Sequence, residues 1–523
     1  MERTYLATLV RTAPILAILL QLASALLAQT PQRRQPSIVV IYADDLGYGD
    51  VRCYNPQRGK IPTPHIDRLA SQGMRFTDAH SSSAVCTPSR YTILTGRYHW
   101  RTRLQRGVLG GMSKPLIAPD RLTVSGLLRQ QGYATACIGK WHLGMMMPRP
   151  VTEGSIKEGP TTRGFDYFFG ISASLDMPPF AFIEDDRFTE APTAVKTLLM
   201  VNDKPRRGPA APGFESEQVL PMLVRKSVQW IVAQKDRPFF LYLALNSPHT
   251  PIAPVNPWKG RSGLGDYADF VMQTDAAIGE VLAALDDADV APDTLVIVTS
   301  DNGCAPYIGT KVSSDPCYSH ERMDAVTDLE AKGHYPSGPL RGYKSDAWEG
   351  GHRVPFIVRW PRVVKKGSIC DHLVHQADIM ATAAEILGTT LPGNAGEDSF
   401  SLMPLLEGGK EPIRNHAVSA SLYGIPVLRF GQWQYIPAPG SGGWGKGGNQ
   451  SQPMQLYDLA DDIGETTNLI GQQPERTAQM QALLEKLIVQ GRSTPGPVQK
   501  NDVKVQRYLP DPNSLLNILD LVP

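Results

Sequence analysis

The sequence predicts an α/β fold, a large mixed, mainly parallel sheet sandwiched by helices, followed by a smaller C-terminal α+β domain. Three observations predict it. Short, nearly continuous apolar runs end abruptly in polar residues, as expected of strands buried on both faces of a parallel sheet. Helical patterns lie between these runs, giving a β-α-β alternation. After about residue 410 the chain turns rich in Gly and Pro and its elements shorten.

The elements follow in order. "MERTYLATLVRT" sets Arg3 and Arg11 before the apolar "APILAILLQLASALLA", which is too short and wrongly flanked for a membrane span. Small residues at Ala23, Ala25 and Ala28 offer cleavage sites, so residues 1–28 read as a signal peptide, with an uncleaved N-terminal anchor as the alternative, and the protein is expected to be exported, periplasmic or secreted, with no stable membrane insertion. "SIVVIYADD", "ATACIGKWH", "PFFLYLALNSPH" and "TLVIVTSDNG" read as strands, and "IDRLASQG", "VSGLLRQQG", "DAAIGEVLAALDD" and "QADIMATAAEILG" as helices. They place a catalytic domain at 36–410. In the domain expected at 411–495, "LRFGQWQYI" reads as a strand and "PGSGGWGKGGNQSQ" as a flexible loop. "MQLYDLADDIGETTNL" reads as a strand and turn, and "TAQMQALLEKLIVQG" as an amphipathic helix. Residues 496–523 read as an extended tail.

Composition narrows the function classes. With 523 residues, 42% hydrophobic and 20% charged, the chain can bury a large core. Its 52 Lys plus Arg balance 51 Asp plus Glu, and no basic block suggests nucleic acid. The six cysteines show neither the spacing of a disulfide scaffold nor the paired CxxC of a zinc site. Cys304 and Cys317 flank one loop and are the pair expected to bridge.

In open α/β sheets ligands bind beyond the carboxyl ends of the strands, and the polar clusters sit at those ends. Asp44 and Asp45 follow one strand, Lys140 and His142 a second, His249 a third, Asp301 and Asn302 a fourth. Taken singly each has an ordinary alternative: Asp-Asp can be a solvated turn, and Asn-Gly is a common turn dipeptide. Taken together, three carboxylates and an amide are hard oxygen ligands suited to calcium or magnesium rather than zinc. Arg90, Lys140 and Lys344 suit a tetrahedral oxyanion, and His142 and His249 suit proton transfer. The combination points to metal-assisted hydrolysis of a sulfate or phosphate ester.

"CTPSRYTILTGR", Cys86 to Arg97, puts a cysteine four places before an arginine. A tyrosine-phosphatase loop needs five residues between the two, and a papain-like nucleophile needs a different local sequence. The segment resembles the C-x-P-x-R signature of the type I, formylglycine-dependent sulfatases. "YADDLGYGD", "IGKWHLG", "SPHTP", "TSDNG", "LRGYKSDAWEGGHRVPFIVRWP" and "QLYDLADDIGETTNL" resemble sulfatase segments in the right order.

The resemblance implies an alkaline phosphatase-like fold and sulfate ester hydrolysis, with Cys86 oxidised to formylglycine by a maturation enzyme that reads Pro88 and Arg90. It implies that Asp44, Asp45, Asp301 and Asn302 bind calcium together with residue 86. Lys140 and Arg90 would hold the nucleophile and sulfate. His249 with Lys344 would serve the leaving oxygen, and His142 would take the second hydroxyl proton of the aldehyde hydrate. One departure stands out: the family often reads G-G-K-G around the lysine, whereas here the segment is "GYKSDAWEGG".

The irregular stretches from "ISASLDMPPFAFIEDDRF" and "APYIGTKVSSDPCYSHERMDAVTDLEAKGHYPSGPL" are expected to wall the pocket, with Asp176, His320, Glu321, Arg322 and His334 as substrate contacts. Their similarity to exported bacterial glycan sulfatases implies a sulfated carbohydrate of the N-acetylgalactosamine 6-sulfate type. The alternatives are a phosphodiesterase or phosphonate hydrolase on the same scaffold, and a non-catalytic glycan-binding relative in which Cys86 stays a thiol.

Overall fold

The computed structural model describes residues 35–201, 204–308, 325–449 and 451–506. The signal peptide expected at 1–28 therefore lies outside the described residues. Among those described, no helix is long and apolar enough to cross a membrane.

From Ser37 onward the chain forms one compact unit. Its centre is a ten-stranded sheet. In chain order the strands are β1 (Ser37–Asp44), β2 (Met74–Phe76), β3 (Ala134–Lys140), β4 (Tyr167–Ile171), β5 (Ile183–Glu184), β6 (Arg187–Phe188), β7 (Phe239–Pro248), β8 (Thr294–Ser300), β9 (Phe356–Arg359) and β10 (Ser368–Cys370). Across the sheet they run β10-β2-β9-β8-β1-β7-β3-β4-β5-β6. The central strands β8, β1, β7, β3 and β4 are parallel, while β9 and the β5–β6 hairpin run antiparallel. The parallel centre of the sheet is thus as the apolar runs predict, and its mixed character is as the family resemblance implies. The irregular reading of the stretch after Ile171 needs correction, because part of it forms β5 and β6 and extends the edge of the sheet.

Alternation of side chains explains why these strands are apolar throughout. Val39, Ile41, Ala136, Ile138, Leu241, Leu243, Val296 and Val298 face one layer, containing α1 (Pro64–Gln72), α4 (Val219–Gln234) and α5 (Asp266–Asp287). Ile38, Val40, Cys137, Phe240, Tyr242, Leu295 and Ile297 face the other, containing α2 (Cys86–Thr95), α3 (Val124–Gln130) and α6 (Ile379–Ile386). Each fully buried aliphatic side chain contributes about 1.5–3 kcal/mol. A polar substitution on either face of β1 or β7 would therefore meet a core.

A second, antiparallel sheet contains β11 (His416–Ala420), β12 (Pro426–Phe430), β13 (Trp433–Ile436) and β14 (Gln455–Asp458), in that order, with α7 (Pro474–Gln490) beside it. "LRFGQWQYI" is accordingly a hairpin rather than one strand. Phe430 pairs with Trp433, leaving Gly431 and Gln432 as a two-residue turn, with Gly431 at φ +56°.

Buried ion pairs join the small sheet, and the segment after α2, to the body of the chain. Arg429 on β12 reaches Asp78 (3.0 Å) and Glu349 (3.2 Å), and Arg101 after α2 is paired with Asp398 (2.8 Å). The start of the tail is docked: Arg97 pairs with Asp502 at 3.0 Å, and Val505 is buried with α7.

Candidate active site

The carboxyl ends of β1, β7, β3 and β8 converge as the topology requires, and α2 points its first turn at them. Cys86 is the first residue of α2, and Arg90, one turn later, lies on the same face. Both are buried. Burial pushes the Cys86 thiol well above its usual range despite Lys140 and Lys344 nearby, so the unmodified thiol is a poor nucleophile.

A bulge explains how two adjacent carboxylates reach one site. A regular strand would send Asp44 and Asp45 to opposite faces. Here the β1–β7 register shifts between Tyr42 and Asp44, and Asp45 takes a left-handed φ of +66°. Each acid then has its own cation. Lys140 Nζ donates to both Asp44 oxygens at 2.9 and 2.7 Å. Lys344 Nζ donates to Asp45 Oδ2 at 2.7 Å. Arg90 Nε and Nη2 donate to Asp301 Oδ2 at 3.1 and 2.8 Å, while Nη1 donates to the Lys140 carbonyl at 2.9 Å.

The electrostatics follow from burial and these pairings. Burial acts to raise the Asp44 pKa, but Lys140, His249, Arg90 and Lys344 overcome it and hold the carboxyl well below its usual range. Burial, with Asp44 next to it, raises Asp301 to about 7 in spite of Arg90. Burial disfavours the Lys344 ammonium, yet Asp45 more than compensates, so the group stays charged.

The two histidines are held in different ways. The Leu109 carbonyl, 2.7 Å from His142 Nε2, must accept, so Nε2 carries the proton and the buried Nδ1 is bare and without a partner. Burial first, then Lys140 and Arg90, holds His142 well below its usual range and hence neutral. In His249 the Thr250 carbonyl accepts from Nδ1 at 2.5 Å, leaving Nε2 directed to Asp45 Oδ2 at 3.7 Å. Burial and Lys344 lower its pKa.

Ligand atoms of Asp44, Asp45, Cys86 and His249 lie within 4.8 Å of one another, close enough to hold a metal ion. Asn302 donates to Asp45 Oδ1 at 2.8 Å, and its buried Oδ1 has no partner. An orphaned amide oxygen beside carboxylates fits a hard cation. Asp301 is not among the residues of that group: Oδ2 faces Arg90 and Oδ1 accepts from the Asp45 backbone at 3.2 Å. Sequence reasoning did not foresee that His249 stands within the acidic group.

A second group, His80, Glu349 and His352, also has metal-like spacing. Arg429 and Arg353 already pair with Glu349 at 3.2 and 3.0 Å. Two guanidinium groups at its carboxylate make this a structural ion-pair cluster rather than a cation site.

The expected substrate residues divide. Asp176 is buried with Oδ1 unpartnered, in the loop after β4 whose Ser172 carbonyl accepts from the His142 backbone at 3.0 Å. His334 is not a pocket residue. Fully buried, it donates from Nε2 to Asp50 at 2.8 Å and accepts the Lys60 backbone on Nδ1 at 3.0 Å, so both ring nitrogens are used in packing. His320, Glu321 and Arg322 lie outside the described residues, as does Cys317. The expected bridge is not formed on the Cys304 side: Cys304 is a free, buried thiol 3.2 Å from the Tyr267 hydroxyl.

The departures around Lys344 have partners of their own. Tyr343 donates to Glu330, and Ser345 Oγ accepts from the Trp444 backbone at 2.8 Å. "PGSGGWGKGGNQSQ" is thus anchored rather than free. Tyr307, which the sequence did not single out, has the Lys344 ammonium 5.6 Å from its ring centroid.

Comparisons with known proteins agree with this geometry. The Sulfatase family profile matches residues 36–389. The chain is 36% identical over 495 residues to an N-acetylgalactosamine-6-O-sulfatase of Bacteroides thetaiotaomicron, covering 87% of this chain and 93% of that one. It is 32% identical to human arylsulfatase A over 497 residues, 90% of each chain. A solved Bacteroides thetaiotaomicron protein, described in connection with the metabolism of multiple glycosaminoglycans, superposes with a TM-score of 0.76 at 33% identity, covering 87% of this chain and 99% of that one. With a family profile over residues 36–389 and relatives of 36% and 32% identity spanning most of both chains, the chain belongs to the sulfatase family and is a sulfuric ester hydrolase.

Proposed function

We propose that the protein hydrolyses a sulfate ester on a carbohydrate, of the N-acetylgalactosamine 6-sulfate type, using calcium and a formylglycine made from Cys86. The observation that carries the mechanism is the meeting of Cys86, three cation-paired carboxylates and the orphaned Asn302 Oδ1 at one end of the sheet. The sugar class is supported by the 36% identity to the N-acetylgalactosamine-6-O-sulfatase.

Asp44, Asp45, Asp301 and Asn302 would hold the calcium, whose charge favours an ionised hydroxyl at position 86 and offsets that of the sulfate oxygens. As the hydrated aldehyde, residue 86 would offer one hydroxyl as the nucleophile for sulfur, in exchange for the ester's alcohol oxygen, and a second whose proton loss would return the aldehyde and release sulfate. The rest is done by this chain's own side chains. Arg90 fixes Asp301, and Lys140 fixes Asp44 while offering positive charge to the sulfate. Lys344 stabilises the leaving oxygen. His249, anchored through Nδ1, presents Nε2 to that oxygen and serves as its acid when protonated, a state that an arriving anion favours. His142 is already neutral with Nδ1 bare, the state needed to accept the second hydroxyl proton. Asp176, with a buried unpartnered oxygen in the adjoining loop, is the proposed sugar contact.

This reading includes export through residues 1–28 and modification of Cys86 by a formylglycine-generating enzyme. The test joins two measurements on protein from its native host: the mass of the peptide holding residue 86, and turnover of sulfated sugars against phosphate esters with and without chelation and calcium return. An unmodified cysteine together with undiminished sulfatase activity would overturn the mechanism. Turnover of phosphate esters in preference to every sulfate would overturn the substrate.

A further inference from the structure

The glycine-rich loop of the small sheet is built around one large side chain. Between Pro439 and Gly448 the only aromatic residue is Trp444, flanked by Gly442, Gly443 and Gly445. The loop is pinned to the segment that carries Lys344. Trp444 donates its backbone N–H to Ser345 Oγ at 2.8 Å, Gly445 donates to Asp346 Oδ1 at 2.8 Å, and Ala347 donates to the Ser441 carbonyl at 2.6 Å. Glycine is required for this approach: a Cβ on Gly443 would stand 2.2 Å from the Ser345 carbonyl oxygen, and one on Gly445 would stand 2.4 Å from Asp346 Oδ2.

The loop thus sets Trp444 against Tyr307, with ring centroids 5.5 Å apart and planes at 60°. Tyr307 is buried, and on its ring lies the Lys344 ammonium that bonds Asp45. Trp444 itself is only half-buried. A large aromatic side chain, fixed at its backbone, edge-packed on a buried partner and left partly open two contacts out from Lys344, is shaped to receive an apolar ring face.

We infer that Trp444, braced by Tyr307, is the stacking platform for the pyranose ring on the leaving-group side of the sulfate ester, and so a specificity-determining residue supplied by the small sheet. This rests on the carbohydrate reading above. The C–H face of a pyranose is apolar with a slight positive charge and matches the negative face of an indole. Lys344 and His249 mark the side from which the alcohol departs, and Trp444 is joined to that side through Tyr307, whose ring touches both Trp444 and the Lys344 ammonium.

The experiment uses the full-length matured enzyme, N-acetylgalactosamine 6-sulfate as substrate and inorganic sulfate as a ringless inhibitor. Trp444→Ala is expected to raise KM about tenfold, about the effect of one ring-on-ring contact, with kcat within about twofold. The inhibition constant for inorganic sulfate should stay near the wild-type value. Trp444→Phe should recover most of the lost KM, and Lys446→Ala, an exposed change in the same loop, should behave as wild type.

Three results would overturn the platform: an unchanged KM in Trp444→Ala, no recovery by Trp444→Phe, or a parallel loss of sulfate inhibition, which would mean that the loop merely supports Lys344. Failure of the carbohydrate reading is distinguishable because it is seen in the wild-type enzyme. An enzyme that turns over 4-nitrophenyl sulfate but no sulfated mono- or disaccharide removes the substrate class, and the platform with it.

Discussion

Removing the Arg90 side chain should expose how much of the site's stability is electrostatic. In Arg90→Met the hydrocarbon volume is largely kept, but Asp301 loses two donors at 3.1 and 2.8 Å and the Lys140 carbonyl loses one at 2.9 Å. With charge centres about 4 Å apart and an effective dielectric constant of about 20, the lost attraction is about 4 kcal/mol. Breaking one side of a buried pair costs about 3–5 kcal/mol for the same reason, since a carboxylate is left without its counter-charge. Urea unfolding of calcium-free protein in chelator, at a pH well above the Asp301 value of about 7 so that its carboxyl is ionised, should therefore show Arg90→Met destabilised by about 4 kcal/mol. The double variant Arg90→Met/Asp301→Asn should recover about 2 kcal/mol or more of the summed single losses, because the stranded charge goes too. A cost under about 1 kcal/mol for Arg90→Met, or simple additivity in the cycle, would refute the view that Arg90 is there to hold Asp301.

Other outcomes follow from the same geometry. His249→Ala should slow sugar sulfates far more than an aryl sulfate whose phenolate leaves without a proton, and equal losses on both would remove it as the acid. His142→Ala should release about one equivalent of alcohol per enzyme in stopped-flow and then stall, whereas steady turnover after the first equivalent would refute its part in regenerating the site. Cys86→Ala should fold, as judged by near-UV circular dichroism, and fall to the uncatalysed rate. Stability should drop on acidification: burial holds His99 at about 3 and His352 at about 4, below an unfolded value of about 6.5. The unfolded chain therefore binds more protons between those limits, and stability falls with pH by about 1.4 kcal/mol per unit for each histidine. His99→Phe should flatten the urea-midpoint profile between pH 6 and 4 by one histidine's share.

What the sequence could reveal was set by how local the signal was. Strands buried on both faces write themselves as unbroken apolar runs, so β1, β3, β7 and β8 were legible, and with them the clusters at their ends. The side chains' final partners were not. His334 and Asp50 are 284 residues apart, and nothing near His334 says that both its nitrogens are spent in packing. The hairpin of β12 and β13 reads as one strand in the sequence because its turn holds a single glycine within an alternating pattern. The docking of the glycine-rich loop was hidden because glycine runs look alike whether they are free or pressed against another backbone, as Gly443 is against Ser345.

The bulge at the end of β1 separates two demands that fall on one position. The backbone at residue 45 needs a left-handed conformation, φ +66°, which Asn, Asp and Gly accept and β-branched residues do not. The proposed chemistry needs a carboxylate, and only one of those three residues has one. A descendant that kept the fold while abandoning catalysis is therefore expected to carry Asn or Gly at this place, and a Val or Ile there would mark a chain whose strand no longer bends as this one does. Position 45 thus serves as a sequence marker for telling silent members of the lineage from rearranged ones.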